Sequence, residues 1–266
     1  MIQTNTHNMY QVDAFASVVF KGNPAAVLVL EDWFSDETML SIAQENNLAE
    51  TAFARPNGSN WDLRWFTPVH EADFCGHATL ATAHVLFSTT GARGPLVFNT
   101  RVGQLSVSQQ SEVYSLSVPC LTPEPLKTDD PDIGQMIGFP EARVFRNFEN
   151  YFAVLPDPAT LRAFLPDLAK ISTLFPHGLC ITSVGDGPDF LSRYFAPGAG
   201  IPEDPVTGST HATLVPYWAE QLSQAELAAH QASARGGDLG CTLEKDRVVL
   251  RGGCATFMKA EIFLPE

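Results

Sequence analysis

Two stretches of the sequence place a chemically active or hydrogen-bonding side chain directly after a glycine. They read FTPVHEADFCGHATLAT and EDPVTGSTHATL. His77 follows Gly76, and Ser209 follows Gly208, each at the predicted start of a helix. The N–H groups and the dipole at a helix start attract anions. The two motifs therefore predict an anion site at the helix starts of Gly76 and Gly208, with Ser209 as a candidate donor to the substrate.

Glu50 and His77 are the candidate acid–base groups. Glu50 begins an otherwise apolar predicted strand in the segment NNLAETAF. Partial desolvation at such a place moves the pKa of a carboxyl group toward the neutral range that a general acid or base needs. The alternative is a glutamate that faces water at the end of a strand. For His77, the helix dipole favours a neutral imidazole that hydrogen-bonds substrate, and the alternative is a capping or buried histidine.

Three further side chains have two readings each. Asp204 precedes Pro205 and lies four residues before Gly208, so it either handles protons or orders the turn and caps the helix. Ser209 either donates to a substrate carboxylate or satisfies the first helical turn. Cys75 lies at the other predicted helix start, where the pKa of a thiol falls. Because the second motif has no matching cysteine, a two-thiol mechanism is not expected and Cys75 is predicted to be a packed thiol.

The residues around the two motifs recur in the same order, which predicts an internal duplication. The segment RWFTP recurs as RYFAP 129 positions later, and Gly76 matches Gly208 at an offset of 132. HATL begins at His77 and again at His211, 134 positions later, where core packing is expected for the second histidine. Two copies of one βα unit that face each other would direct both helix starts toward a common cleft.

The hydrophobic pattern predicts alternating strands and helices in both halves. In the first half, the glycine, asparagine and proline of Lys21–Pro24 indicate a turn. In the second half, one helix is expected over Ala159–Ala169, and the proline-rich Pro119–Pro131 is the candidate linker. Strands are expected at Val12–Phe15, Ala25–Leu30, Glu50–Ala54, Leu63–Phe66, Leu96–Asn99, Gly103–Ser108, Val113–Val118, Tyr151–Leu155, Gly178–Ser183, Leu191–Phe195, Cys241–Glu244, Arg247–Leu250 and Met258–Leu264.

Composition excludes several classes of protein. A net charge of −14 without any basic run argues against nucleic acid as a partner. No apolar run approaches the length of about 18 residues that a membrane-spanning helix needs, so no membrane partner is expected. Five scattered cysteines without a CxxC spacing indicate a reducing, cytoplasmic location and no metal site. No nucleotide-binding fingerprint occurs either, so the chemistry is expected to use acid–base groups and no cofactor.

Six segments together make the sequence resemble the PhzF-like family, which is named after the isomerase of phenazine biosynthesis. They run in order through essentially the whole chain: VDAF, GNPAAVLVL, NNLAETAF, TPVHEADFCGHATLA, RYFAPGAGIPEDPVTGSTHATL and ARGG. The resemblance implies an α/β fold like that of diaminopimelate epimerase, with two pseudo-symmetric domains, each a curled sheet around a central helix. It implies residues 1–120 with a C-terminal strand at about 256–266 as one domain. Residues 121–255 would form the other, with the active site in the cleft between them.

The resemblance also implies site residues and assembly. Glu50, His77 and Asp204 match the catalytic positions, Ser209 matches a serine of the second motif, and the backbone after each motif glycine would hold a substrate carboxylate. Members of the family are often homodimers and use no cofactor. The phenazine enzyme moves a proton across the ring of trans-2,3-dihydro-3-hydroxyanthranilate. Two features differ from that enzyme: the cysteine before the Gly-His pair and the ARGG segment. The resemblance therefore indicates the class of reaction more firmly than the substrate.

Three functions follow from these residues. The leading prediction is a cofactor-independent isomerase or epimerase that acts on a small anionic substrate, with Glu50 as the group that shuttles the proton. A lyase or dehydratase on the same scaffold would begin with the same proton abstraction and then expel a leaving group. The third is a small-molecule-binding protein that keeps the cleft without catalysis.

Overall fold

The computed structural model describes residues 4–265, and the contacts within it divide the chain into two compact units. The first unit extends to Ser117 and also includes the segment from Arg251 onward. The second unit comprises Val118–Leu250. Each unit alternates strands with helices, as the sequence predicts.

In the first unit, eight longer strands and one short strand accompany two helices. The elements are β1 Thr4–Ala14, β2 Asn23–Val29, α1 Asp36–Asn46, β3 Glu50–Asn57, β4 Asn60–Phe66, β5 Glu71–Ala72, α2 Gly76–Thr90, β6 Leu96–Thr100, β7 Gly103–Gln110, β8 Val113–Pro119 and β17 Cys254–Pro265. Pairing runs from β17 through β1, β2, β3, β4, β6 and β7 to β8, and β5 is added to β4. The pairs β2–β3 and β4–β6 are parallel, and the others are antiparallel.

The sheet of the first unit is covered on both faces. Helix α1 packs on β3 and β4, where Met39 and Ile42 meet Phe53 and Phe66. Helix α2 packs on β1, β2, β3, β7 and β17, and its first eight residues are all buried. Such a helix, apolar on every side, is typical of the centre of a domain. Because both faces are covered, β2 is continuously apolar after Asn23 rather than alternating.

The second unit repeats this arrangement. Its elements are α3 Ile133–Ile137, β9 Arg143–Arg146, β10 Asn150–Val154, α4 Pro158–Ala163, α5 Leu168–Ser172, β11 Gly178–Val184, β12 Phe190–Ala196, β13 Ile201–Asp204, α6 Gly208–Leu222, β14 Glu226–Gln231, β15 Gly237–Glu244 and β16 Arg247–Gly252. Strand β10 pairs in parallel with β11, β11 pairs antiparallel with β12, and β12 pairs in parallel with β14. Strands β9, β13 and β15 add antiparallel to β10, β12 and β14, respectively.

The second unit differs from the sequence prediction at several elements, of which the helices α4 and α5 and the strand β14 have a clear physical reason. The single helix expected over Ala159–Ala169 is wrong, because α4 and α5 are separate and Pro166 lies between them. Proline removes a helical hydrogen bond and disfavours helix in the residue before it. Asp167 then starts α5 by accepting from the backbone N–H of Lys170 at 3.1 Å. The strand β14 was missed, because its polar and alanine residues lack the β-branched side chains typical of strands.

No helix within residues 4–265 combines the length and the apolar character needed to cross a bilayer.

Candidate active site

Glu50 and His77 lie together in the first unit. Glu50 is the first residue of β3, and His77 is the second residue of α2. Oε2 of the glutamate lies 3.3 Å from Nε2 of the imidazole. The Glu50 side chain keeps 13% of its surface exposed and that of His77 keeps 5%, so the pair sits at the edge of the core. The structure thus brings together the two acid–base candidates, which are 27 positions apart in sequence.

Burial decides the charge of His77. Loss of hydration lowers the pKa of this imidazole to about 3, so the ring is neutral at neutral pH. A neutral imidazole beside a carboxylate is a polar neighbour rather than a counter-ion. The neutral state predicted for His77 therefore has a physical cause in burial, in addition to the helix dipole at the start of α2.

Two more side chains surround the imidazole. Asn23 is fully buried, and its amide nitrogen lies 3.2 Å from Nδ1 of His77. Sγ of Cys75 lies 3.5 Å from the same ring nitrogen. Cys75 is buried, as the sequence predicted for a packed thiol, yet it contacts the site. Sequence analysis missed Asn23 because it precedes Pro24 in a turn-like segment, and nothing local indicates a partner 54 residues away.

Glu50, Cys75 and His77 also form a set of potential metal ligands. One donor atom from each lies within 4.8 Å of the others. Thiolate, imidazole and carboxylate are all zinc ligands. The shortest contacts of the imidazole nevertheless involve different nitrogens, with Cys75 near Nδ1 and Glu50 near Nε2. Cys75 and Glu50 thus approach the ring at different nitrogens, and the expectation of a site without metal stays a prediction.

Asp204, Gly208 and Ser209 lie together at the start of α6 in the second unit. Asp204 is buried at the end of β13, and its carboxylate accepts the hydroxyl of Thr207. Thr207 occupies the N-cap position of α6 but makes no side-chain hydrogen bond to the helix. Asp204 therefore draws the capping hydroxyl away, and the first N–H groups of α6 lack the side-chain cap that threonine usually supplies.

Gln231 fixes the same helix start from β14. Its side-chain oxygen accepts from the backbone N–H of Thr207 at 2.8 Å, and its nitrogen donates to the carbonyl of Asp204 at 2.8 Å. Gln231 is fully buried, so these bonds form away from water. Sequence analysis missed Gln231, because it lies in the strand that the sequence did not predict.

The helix starts show that the two HATL segments are not equivalent. Both helices begin at the motif glycine and span 15 residues, so Ser209 occupies the place of His77. His211 lies two positions further into α6, where its Nδ1 approaches the carbonyl oxygen of Thr207 at 2.8 Å. Burial lowers the pKa of His211 to about 4. The match at an offset of 134 is therefore wrong, and the glycine offset of 132 gives the correct correspondence.

Comparison with known proteins identifies the family. The profile described as "Phenazine biosynthesis-like protein", PhzC-PhzF, matches residues 12–260. The chain belongs to the PhzC-PhzF family. An uncharacterized isomerase of Pseudomonas aeruginosa is 43% identical over 257 residues, which cover 96% of this chain and 98% of that protein. An uncharacterized isomerase of Halalkalibacterium halodurans is 40% identical over 263 residues, which cover 97% and 99% of the two chains.

Solved structures confirm the fold prediction. A PhzF family protein of Enterococcus faecalis superposes with a TM-score of 0.91 at 43% identity, covering 98% of this chain and 100% of that one. A hydroxyproline epimerase of Agrobacterium vitis superposes with a TM-score of 0.65 at 8% identity, covering 100% of this chain and 95% of that one. The PhzC-PhzF chain thus has the mixed α/β architecture that PhzF proteins share with such epimerases.

Proposed function

We propose that this PhzC-PhzF protein is an isomerase that moves a carbon-bound proton on a small carboxylate-bearing substrate, with Glu50 as the shuttle. One observation carries the proposal: Glu50 is a partly exposed carboxylate held 3.3 Å from a buried, neutral histidine at the start of α2. The relatives named as isomerases support the reaction class.

The proposed reaction needs one carboxyl group in two protonation states. Ionised Glu50 takes a proton from a carbon next to a carboxylate or a conjugated system, and the electron pair of the broken C–H bond spreads into that system. The carboxylic acid of Glu50 then returns the proton to another carbon or to the other face, and the electron pair forms the new C–H bond. Atoms and charge balance with no cofactor, as the family resemblance implies.

Backbone N–H groups are proposed to bind the carboxylate of the substrate. Neither Cys75 nor Thr207 caps its helix with a side-chain hydrogen bond, so the starts of α2 and α6 keep donors for an anion. Gly76 and Gly208 carry no side chain that would block the approach. We assign Ser209 as an additional hydroxyl donor, since it is partly exposed at the second position of α6. We assign Asp204 to the site as the residue that keeps the start of α6 uncapped.

The experiment is proton exchange in heavy water followed by NMR. The purified protein is incubated with dihydro-hydroxyanthranilate and with a panel of small cyclic and α-substituted acids. A compound that takes up deuterium while keeping its carbon skeleton supports isomerisation. Loss of water from the compound would instead assign a dehydratase. Binding without any exchange, unchanged in Glu50→Gln, would assign a non-catalytic binding protein.

A further inference from the structure

The surroundings of His77 determine which of its two nitrogens carries the proton. Asn23 is the first residue of β2 and is fully buried, so its amide competes with no water. The amide nitrogen, 3.2 Å from Nδ1, can only donate. The thiol of Cys75, 3.5 Å from the same nitrogen, can donate weakly or accept weakly, so it is compatible with either tautomer. The amide of Asn23 therefore requires Nδ1 to accept.

The other side of the ring leads to the same assignment. A neutral imidazole has a single N–H, so an accepting Nδ1 leaves the proton on Nε2. Nε2 lies 3.3 Å from the carboxylate oxygen Oε2 of Glu50, although the two atoms do not have the geometry of a hydrogen bond in this structure. In the opposite tautomer, a lone pair on Nε2 would face the carboxylate, and the amide of Asn23 would have to turn its oxygen toward Nδ1. Asn23 and Glu50 thus favour the same tautomer.

We propose that Asn23 is a positioning residue that holds His77 in the tautomer with its proton on Nε2, the ring nitrogen that lies 3.3 Å from Oε2 of Glu50. Oε2 is enclosed, so the exposed part of Glu50 lies elsewhere on the side chain. The other carboxyl oxygen is then the one that exchanges a proton with substrate. That last step rests on the proposed function, whereas the tautomer does not.

Holding one oxygen constant has a chemical advantage for a shuttle. A proton on Nε2 attracts Oε2 whether or not the other oxygen carries the substrate proton, so the carboxyl group keeps its orientation through both halves of the reaction. Because His77 keeps its own proton, it does not divert the transferred proton away from the substrate. Asn23 acts on the reaction only through His77, with no contact to substrate required.

The test is 15N NMR of protein labelled in its seven histidines, in the absence of any ligand, at pH 7.5. The His77 signals are those that disappear in His77→Gln. The wild-type protein is expected to show an unprotonated Nδ1 and a protonated Nε2 for His77. A protonated Nδ1, or a mixture of the two tautomers, overturns the proposal. Because this result needs no Asn23 variant, failure of a variant to fold does not prevent the test.

The variant Asn23→Asp then tests whether Asn23 sets the tautomer of His77. A carboxylate in place of the amide accepts and cannot donate, so Nδ1 of His77 is expected to become protonated. Asn5→Asp adds the same charge at an exposed position of β1 and should leave the His77 signals unchanged. An unprotonated Nδ1 in Asn23→Asp would show that Asn23 does not set the tautomer.

Activity separates this inference from the proposed function. With any acid that exchanges in heavy water, Asn23→Asp is expected to slow exchange about 10- to 100-fold, with a much smaller change in KM. The expected tautomer together with no exchange by any acid would reject the proposed function and leave the tautomer assignment standing. Exchange at the wild-type rate in Asn23→Asp, with Nδ1 protonated, would reject the role of the tautomer in catalysis.

Discussion

The starts of α2 and α6 are two copies of one structure with different side chains. In each unit, a parallel strand pair precedes an antiparallel partner, then a short strand, then a 15-residue helix that begins at glycine. Even an internal ion pair recurs: Arg64 binds Glu71 through two hydrogen bonds, and Arg193 binds Glu203 in the same way. The duplication has therefore preserved the order of strands and helices and this ion pair.

The side chains at the helix starts differ in kind. The first unit has Glu50, Cys75 and His77, all able to carry or exchange a proton. The second unit has glycine, threonine and serine at the matching places, Gly178, Thr207 and Ser209. A β-carbon at residue 178 would lie 2.2 Å from the hydroxyl oxygen of Tyr194, so the second unit has no room for a glutamate there. We infer that proton transfer belongs to the first copy and neutral hydrogen bonding to the second.

The largest expected effect is that of Glu50→Gln. This variant keeps the shape of the side chain but cannot shuttle a proton, so turnover should fall by about 10²- to 10⁴-fold. The rate of deuterium uptake in heavy water measures it. Glu45→Gln, an exposed change on α1, is the matched control and should retain the wild-type rate. Wild-type turnover in Glu50→Gln would place the proton transfer elsewhere.

Acid should destabilise both units through their buried histidines. His77 and His211 have folded-state pKa values of about 3 and about 4, below the ordinary 6.5. The unfolded chain therefore binds more protons below pH 6.5, and stability falls as the pH drops from there toward 4. The loss is about 3 kcal/mol for each histidine at pH 4.

Urea unfolding at a series of pH values measures this loss. His77→Gln and His211→Gln should each remove part of the pH dependence of the free energy of unfolding. A stability curve that is flat between pH 6.5 and 4.5 would contradict the neutral assignment of both rings.

Gly178→Ala tests why the second unit has no counterpart of Glu50. The added methyl group would collide with the ring of Tyr194, and overpacking of this kind costs about 1 to 3 kcal/mol of unfolding free energy. Gly187→Ala is the control, since nothing lies within 4 Å of its added β-carbon. If the two variants had equal stability in urea, steric exclusion would not explain the difference between the units.

Ser209→Ala should have the smallest effect. Loss of one hydroxyl donor to an anionic substrate is expected to raise KM about tenfold while kcat changes little. Steady-state kinetics with the exchanging acid measure both constants. Ser172→Ala, at the end of α5, serves as control. A fall in kcat without a change in KM would give Ser209 a part in the chemical step and weaken the contrast between the units.

The sequence predicted the strands and helix starts that carry the site better than it predicted the contacts between the side chains of the site. The repeated RWFTP and RYFAP segments and the glycine of each motif predicted the duplication, because strand pairing and helix starts depend on local residue types. Asn23 was read as part of a turn, and its contact with His77 depends on β2 lying against α2. Gln231 likewise reaches the start of α6 from β14. Contacts of this kind come from tertiary packing, which one sequence does not encode in any local pattern.

The most direct test of the proposal that Glu50 shuttles the proton uses a deuterium label on the hydrogen that is transferred. A substrate found in the exchange screen is deuterated at the carbon that loses its proton, and the reaction is run in ordinary water and stopped within the first turnovers. If Glu50 alone takes up and returns the hydrogen, a measurable fraction of the product carries deuterium at the new position. Product that contains only solvent hydrogen from the earliest time, with deuterium found only in water, would contradict a single shuttling carboxyl group.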